Sequence, residues 1–172
     1  TGNRMINLDS EEEGIFLTSC AGGARVKCKL PLSVKEREGI ALEVTLGGLQ
    51  GGHSGGEIHK ERGNANCLFG RLLYRLTEKL PVSLLEVAGG LADNAIPREA
   101  RAVLVADRQD AAEILETARR MEAEIQGELS EKDPGVFLKA EEKGQGSGLC
   151  VTASDTMGAA AFLCALPNGV QA

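Results

Sequence analysis

The chain of 172 residues holds two histidines, and one of them, His53, stands in Gly-Gly-Leu-Gln-Gly-Gly-His-Ser-Gly-Gly at 47–56, with six glycines around it. An imidazole can exchange a proton near neutral pH or donate a hydrogen bond to an oxyanion. Glycines let the backbone turn with positive φ and approach other groups closely. A phosphate cradle would also place glycines between a strand and a helix start. The stretch lacks the Lys-[Ser/Thr] ending of a Walker loop and the spacing of a dinucleotide fingerprint, so nucleotide binding is disfavoured. Two readings stay open: a tight bend that the histidine caps, and a histidine held out beside a helix start to serve an oxyanion in a site elsewhere. Composition does not separate them.

Other chemistry-bearing residues are sparse. Asp9 lies in an acidic run with Glu11, Glu12 and Glu13, and its carboxylate suits zinc, manganese or cobalt, but a zinc site needs three or more protein ligands. No His-Glu-x-x-His, no histidine pair at ligand spacing and no Ser-His-Asp set supplies the rest. The cysteines at 20, 28, 67, 150 and 164 are odd in number and lack CxxC spacing, so we expect small buried thiols rather than disulfides or a zinc site. His59, beside Lys60 and Glu61, reads as a surface residue.

A net charge of −6 and few aromatic residues argue against nucleic acid and against anionic lipid as partners. No apolar run approaches a membrane span and no signal peptide opens the chain, so the cytoplasm is the expected location. The opening Thr1 and the closing Leu-Pro-Asn-Gly-Val-Gln-Ala lead us to expect a domain excised from a longer protein.

The elements that must position His53 follow from periodicity. Ile15–Ser19 and Ala24–Leu30 flank Cys-Ala-Gly-Gly and predict a hairpin. Ile40, Leu42, Val44 and Leu46 alternate with polar neighbours and predict a half-buried strand running into the glycines. Apolar residues from Ile58 to Leu80 fall on one helical stripe, so a helix is expected over Glu57–Leu80, capped by Ser54 and stopped by Pro81. Val82–Ala88 and Arg98–Asp107 read as strands, Asp110–Leu129 as a second amphipathic helix, and Val136–Glu142 as a strand. A glycine-rich connector at 144–148 then leads to a last helix capped by Ser154 or Asp155. The order over 40–142 is strand, helix, strand, strand, helix, strand. That order predicts an α+β fold: a ferredoxin-like two-layer sandwich of a four-stranded antiparallel sheet with two helices on one face, plus a flanking hairpin and a C-terminal helix.

Four stretches in order carry a resemblance: Asn-Leu-Asp-Ser-Glu-Glu-Glu-Gly at 7–14, Gly-Gly-His-Ser-Gly-Gly-Glu-Ile-His-Lys-Glu-Arg-Gly-Asn-Ala-Asn at 51–66, Asp-Asn-Ala-Ile-Pro-Arg-Glu-Ala at 93–100 and Ala-Leu-Pro-Asn-Gly-Val-Gln at 165–171. Together they closely resemble the aminoacyl-histidine dipeptidase family, also called Xaa-His dipeptidase, peptidase D or bacterial carnosinase. These are di-zinc exopeptidases related to aminoacylases and glutamate carboxypeptidases. The resemblance implies a catalytic domain with two bridged zinc ions, interrupted by an inserted lid or dimerisation domain. On that basis we expect 1–14 to end a catalytic segment, 15–38 to be hairpin and connector, 39–143 to be the lid, and 144–172 to lead back toward the catalytic domain.

The resemblance also implies roles. Asp9 matches a ligand of one zinc. His53 matches a lid histidine that, in dimeric members, reaches the partner's active site and stabilises the tetrahedral oxyanion. Asn94 matches a substrate-contacting asparagine, with an Asx turn before Pro97 as the plain alternative. Arg108 stands where some relatives bind the substrate carboxylate, with a solvated strand end as the alternative. The remaining zinc ligands and the general base lie outside this chain, so the fragment alone is expected to be inactive, with a dipeptide substrate and a homodimer through the lid in the parent. The competing expectation is a purely structural dimerisation module.

Overall fold

The computed structural model describes Ile6, residues 13–19 and residues 22–170. Asp9 and Cys20 lie outside the described residues. In chain order the elements are β1 (Val34–Gly47), β2 (Gly52–His53), a short 3-10 turn (Ile58–Lys60), α1 (Ala65–Thr77), β3 (Ser83–Gly89), β4 (Ala95–Ile96), β5 (Ala100–Ala106), a second 3-10 turn (Arg108–Asp110), α2 (Ala111–Glu128), β6 (Phe137–Val151) and α3 (Ala153–Ala165).

The long strands lie in the order β6-β1-β5-β3, all antiparallel. This is the expected split βαβ arrangement. β6 is long enough that Val151 pairs with Leu84 of β3, which closes the strand order on itself at that end. Alternation along β1 sends Ile40, Leu42, Val44 and Leu46 into the core, because successive side chains point to opposite faces. There they meet Phe69, Leu72, Leu73 and Leu76 of α1 and Ile114, Met121 and Ile125 of α2. Each such side chain contributes about 1.5–3 kcal/mol by leaving water. Arg71 forks onto Glu128 with two 2.8 Å hydrogen bonds and ties the helices together. The opposite face is polar: Arg101 lies 3.9 Å from Glu43 and 3.7 Å from Glu86.

Several expectations need correction. Residues 15–19 and 22–33 contain no strand. The expected hairpin had alternation but no core to bury it, and Phe16 and Val26 are 94% and 83% exposed; two isolated strands are marginal without such a core. The glycines at 144–148 are not a connector but part of β6. β1 extends back to Val34 and offers them a backbone partner, with Gly144, Gly146 and Gly148 opposite Ala41, Gly39 and Arg37 and Lys143 left over as a bulge. Of the described cysteines only Cys150 is buried, while Cys28 and Cys164 are exposed. α3 is capped by the Thr152 hydroxyl, which accepts from the Asp155 N–H at 3.3 Å. The Asp155 carboxylate instead accepts from the Ser33 N–H at 2.6 Å, which holds its pKa below the usual carboxylate range.

The expected helix over Glu57–Leu80 begins late, at Ala65. Glu61 adopts a left-handed conformation, φ 52°, and the Gly63 N–H leaves the helical direction to bond Asp133. Asn64, not Ser54, caps α1: its side-chain oxygen accepts from the Asn66 and Cys67 N–H groups at 3.0 and 3.3 Å.

Candidate active-site loop and its relatives

The chain leaves β1 at Gly48 and returns to regular structure at α1, and His53 sits between on a two-residue strand. β2 pairs with β4, placing Gly52 opposite Ile96 and His53 opposite Ala95. The Ser54 N–H donates to the Asn94 carbonyl at 2.9 Å. The structure therefore brings His53 and Asn94 side by side through backbone hydrogen bonds, although they are far apart in sequence. Asn94 occupies the turn before β4, and both residues are exposed.

The imidazole is oriented by the glycines that follow it. His53 Nδ1 accepts from the Gly55 N–H at 3.1 Å and the Gly56 N–H at 3.0 Å. Two donors aimed at Nδ1 require a bare lone pair there, so the neutral ring carries its proton on Nε2. Nε2 makes no hydrogen bond among the described residues, and the ring presents an outward N–H donor.

The loop backbone is braced as well. Glu57 Oε2 accepts the His53 N–H at 3.0 Å, and Glu57 Oε1 meets Lys60 at 2.7 Å and Arg62 at 3.3 Å. The Lys60 hydrogen bond, then the His53 N–H, hold the Glu57 pKa down to about 2. Arg62 donates to the Gly51 carbonyl at 2.5 Å. Gly52 has φ 140°, and a Cβ there would stand 2.6 Å from Glu57 Oε2, so bare backbone is needed for Glu57 to close over the loop.

Beside the loop runs a groove of ≈ 620 Å³, lined in part by Ser54, Asn64, Asn66, Asp93 and Asn168. Asn64 Nδ2 donates to Asn168 Oδ1 at 2.8 Å, linking the α1 cap to the segment after α3. Arg108 is not brought here. It follows β5, whereas Asn94 precedes it, and that strand of seven residues spans about 20 Å at about 3.3 Å per residue. The Arg108 guanidinium lies 3.7 Å from Glu142 and is exposed. His59 is exposed, as expected.

Glu57 and Arg62 were not singled out as loop braces in the sequence, although Glu57 lies a helical turn after His53. Asp133, fully buried, accepts the Gln50 and Gly63 N–H groups at 2.7 Å each. It follows an amphipathic helix in Glu-Lys-Asp-Pro-Gly and gives only a turn signal, because its partners are distant along the chain. Among the described residues no group of three or more His, Cys, Asp or Glu side chains converges as a metal site would require.

The peptidase dimerisation domain family matches residues 44–135, from within β1 to the turn before β6. The cytosol non-specific dipeptidase of Escherichia coli is 39% identical over 173 residues, covering 96% of this chain and 34% of that protein. The crystal structure of aminoacylhistidine dipeptidase from Vibrio alginolyticus superposes with a TM-score of 0.72 at 32% identity, covering 86% of this chain and 29% of that one. The chain thus spans about a third of the length of these relatives. With the split βαβ sheet and the sequence match in one frame, the chain belongs to the peptidase M20 dimerisation-domain family.

Proposed function

We propose that this chain is the lid and dimerisation domain of a dipeptidase, and that His53 donates its Nε2–H to the tetrahedral oxyanion formed when water attacks the scissile peptide carbonyl. The observation that carries the proposal is the pair of glycine amides on Nδ1, which leaves a pre-oriented donor facing outward. A donor of this kind contributes about 3 kcal/mol in the transition state, roughly a hundredfold in rate. Asn94, whose carbonyl accepts from the Ser54 N–H of the same loop, would contact substrate beside it. Arg108 enters this scheme only if it serves a different part of the substrate or a different subunit.

The relatives' names include one non-specific dipeptidase and one aminoacylhistidine dipeptidase. We take dipeptides, Xaa-His dipeptides among them, as the substrate class. The described residues do not form a metal site; the two zinc ions of the resemblance would be held by other parts of the parent, with Asp9 contributing one ligand. The E. coli relative is named as cytosolic, and we propose the same compartment. No helix among the described residues is long and apolar enough to cross a membrane.

A dimer has a natural seat on β3. One edge of this strand pairs with β5, while on its other edge, among the described residues, only Leu84 is paired with another strand, and Val87 is 53% exposed. An unpaired strand edge invites a second copy to extend the sheet. The experiment is Xaa-His dipeptide hydrolysis by the full-length parent with His53→Ala at matched dimer content. A roughly hundredfold loss in kcat with an intact dimer supports the chemical role. Retained activity makes the domain a structural dimerisation module only.

A further inference from the structure

We propose that Asp133 is a positioning residue that sets where His53 stands, by closing both stems of the histidine loop on one buried carboxylate. This rests on the oxyanion role proposed for His53. Asp133 Oδ1 accepts the N–H of Gln50, on the stem entering the loop, and Oδ2 accepts the N–H of Gly63, on the stem leaving it, each at 2.7 Å. The carboxylate is itself anchored, since the Asp133 N–H donates to the Leu129 carbonyl at 2.8 Å and its carbonyl accepts from Val136 at 3.0 Å.

A buried carboxylate is costly unless its oxygens are satisfied, and here backbone amides satisfy both. An aspartate offers two acceptors and no donor, which is what two inward N–H groups require. The neighbouring Lys132 reinforces the same grip: its carbonyl accepts from the Gln50 side-chain amide at 2.6 Å, and its ammonium bonds the Glu61 carboxylate. Gly63 packs so closely between Leu49 and Leu129 that a Cβ would lie 2.7 and 2.8 Å from their methyl carbons. From the clamped Gln50 the chain passes through Gly51, held by Arg62, and Gly52, under Glu57, to His53. Moving the Gln50 stem therefore moves the imidazole.

The test uses the full-length enzyme with Asp133→Asn, which keeps the shape but turns an amide donor toward a backbone N–H. The expected result is a fall in kcat of about tenfold or more with little change in KM, since small misplacement of a reacting group is costly. The loss should disappear in a His53→Ala background, where no imidazole remains to misplace. An equal loss in both backgrounds, or no loss in either, overturns the proposal. If His53→Ala alone is harmless, the oxyanion role fails, and the clamp is then decided by hydrogen exchange on the unsubstituted protein. The Gln50 and Gly63 amides should exchange far more slowly than those of Gly55 and Gly56; equal rates overturn the clamp even if Asp133→Asn fails to fold.

Discussion

Two glycine-rich stretches of this chain meet opposite fates. Gly47–Gly56 departs from the sheet and carries His53, while Gly144–Gly148 lies within β6 and pairs with β1. Both look like loops by composition. The difference is in what satisfies their backbone groups. Beyond Gly47 the β1 ladder ends, and the next N–H groups are taken by Asp133, Glu57 and the imidazole itself. At 144–148 the extended start of β1 takes them instead, and Gly39 and Gly146 face each other because neither has room for a side chain. A Cβ on Gly39 would stand 2.3 Å from the Ala106 carbonyl oxygen, and one on Gly146 would stand 2.6 Å from Ala41 Cβ. At Gly146 glycine serves close packing of paired strands, whereas at Gly48, Gly51 and Gly52 it serves positive φ together with a close approach of other groups.

Substitutions can break or sharpen this contrast. Asp133→Ala has the largest expected effect on stability: it leaves the buried Gly63 N–H and the Gln50 N–H without an acceptor, about 1–3 kcal/mol each, to be read from urea midpoints. Gly146→Ala, whose Cβ would stand 2.6 Å from Ala41 Cβ across the β1–β6 pairing, should cost about 1–3 kcal/mol by overpacking the paired strands, and a neutral result would mean that 144–148 behaves as a loop after all. Gly52→Ala, strained by its positive φ, should cost about 1–2 kcal/mol and disorder the His53 resonances. Gly55→Ala, with negative φ and a 3.3 Å contact to the ring edge, should change stability by less than about 0.5 kcal/mol.

Glu57 adds a pH dependence of known sign. Its folded pKa lies near 2 against an ordinary value of 4.5, so its bracing of the loop is fully present above about pH 4.5 and is lost as pH falls toward 2. The protection of the His53 amide relative to its intrinsic exchange rate should fall over that window while that of the α1 core does not. Glu57→Gln should remove the dependence.

The sheet was legible because β1, β5 and the start of β6 carry period-2 patterns and the two main helices a 3.6 period, whereas β3 showed only as a short apolar run, and its residues from Glu86 on are exposed rather than covered. The histidine loop was legible as a feature, since glycine density around a histidine is a local signal. Its construction was not. Asp133 meets Gln50 and Gly63 only after α2 has crossed the sheet, and Asn64 displaced Ser54 as the cap because Gly63 turned its N–H toward Asp133. The failed hairpin shows the converse, since alternation at 24–30 had no partner to bury it. Asn94 came to His53 through the short β2–β4 ladder, whose two residues per strand leave no periodic trace.

The most direct measurement is the tautomer of His53, read by long-range proton–nitrogen correlation on the nitrogen-15-labelled protein above neutral pH. The expected result is a proton on Nε2 and a bare Nδ1 receiving the Gly55 and Gly56 amides, with that pattern lost in Gly52→Ala. A proton on Nδ1, or an Nε2–H population no higher than in an unstructured histidine, would contradict the claim that this loop is built to present an oxyanion donor.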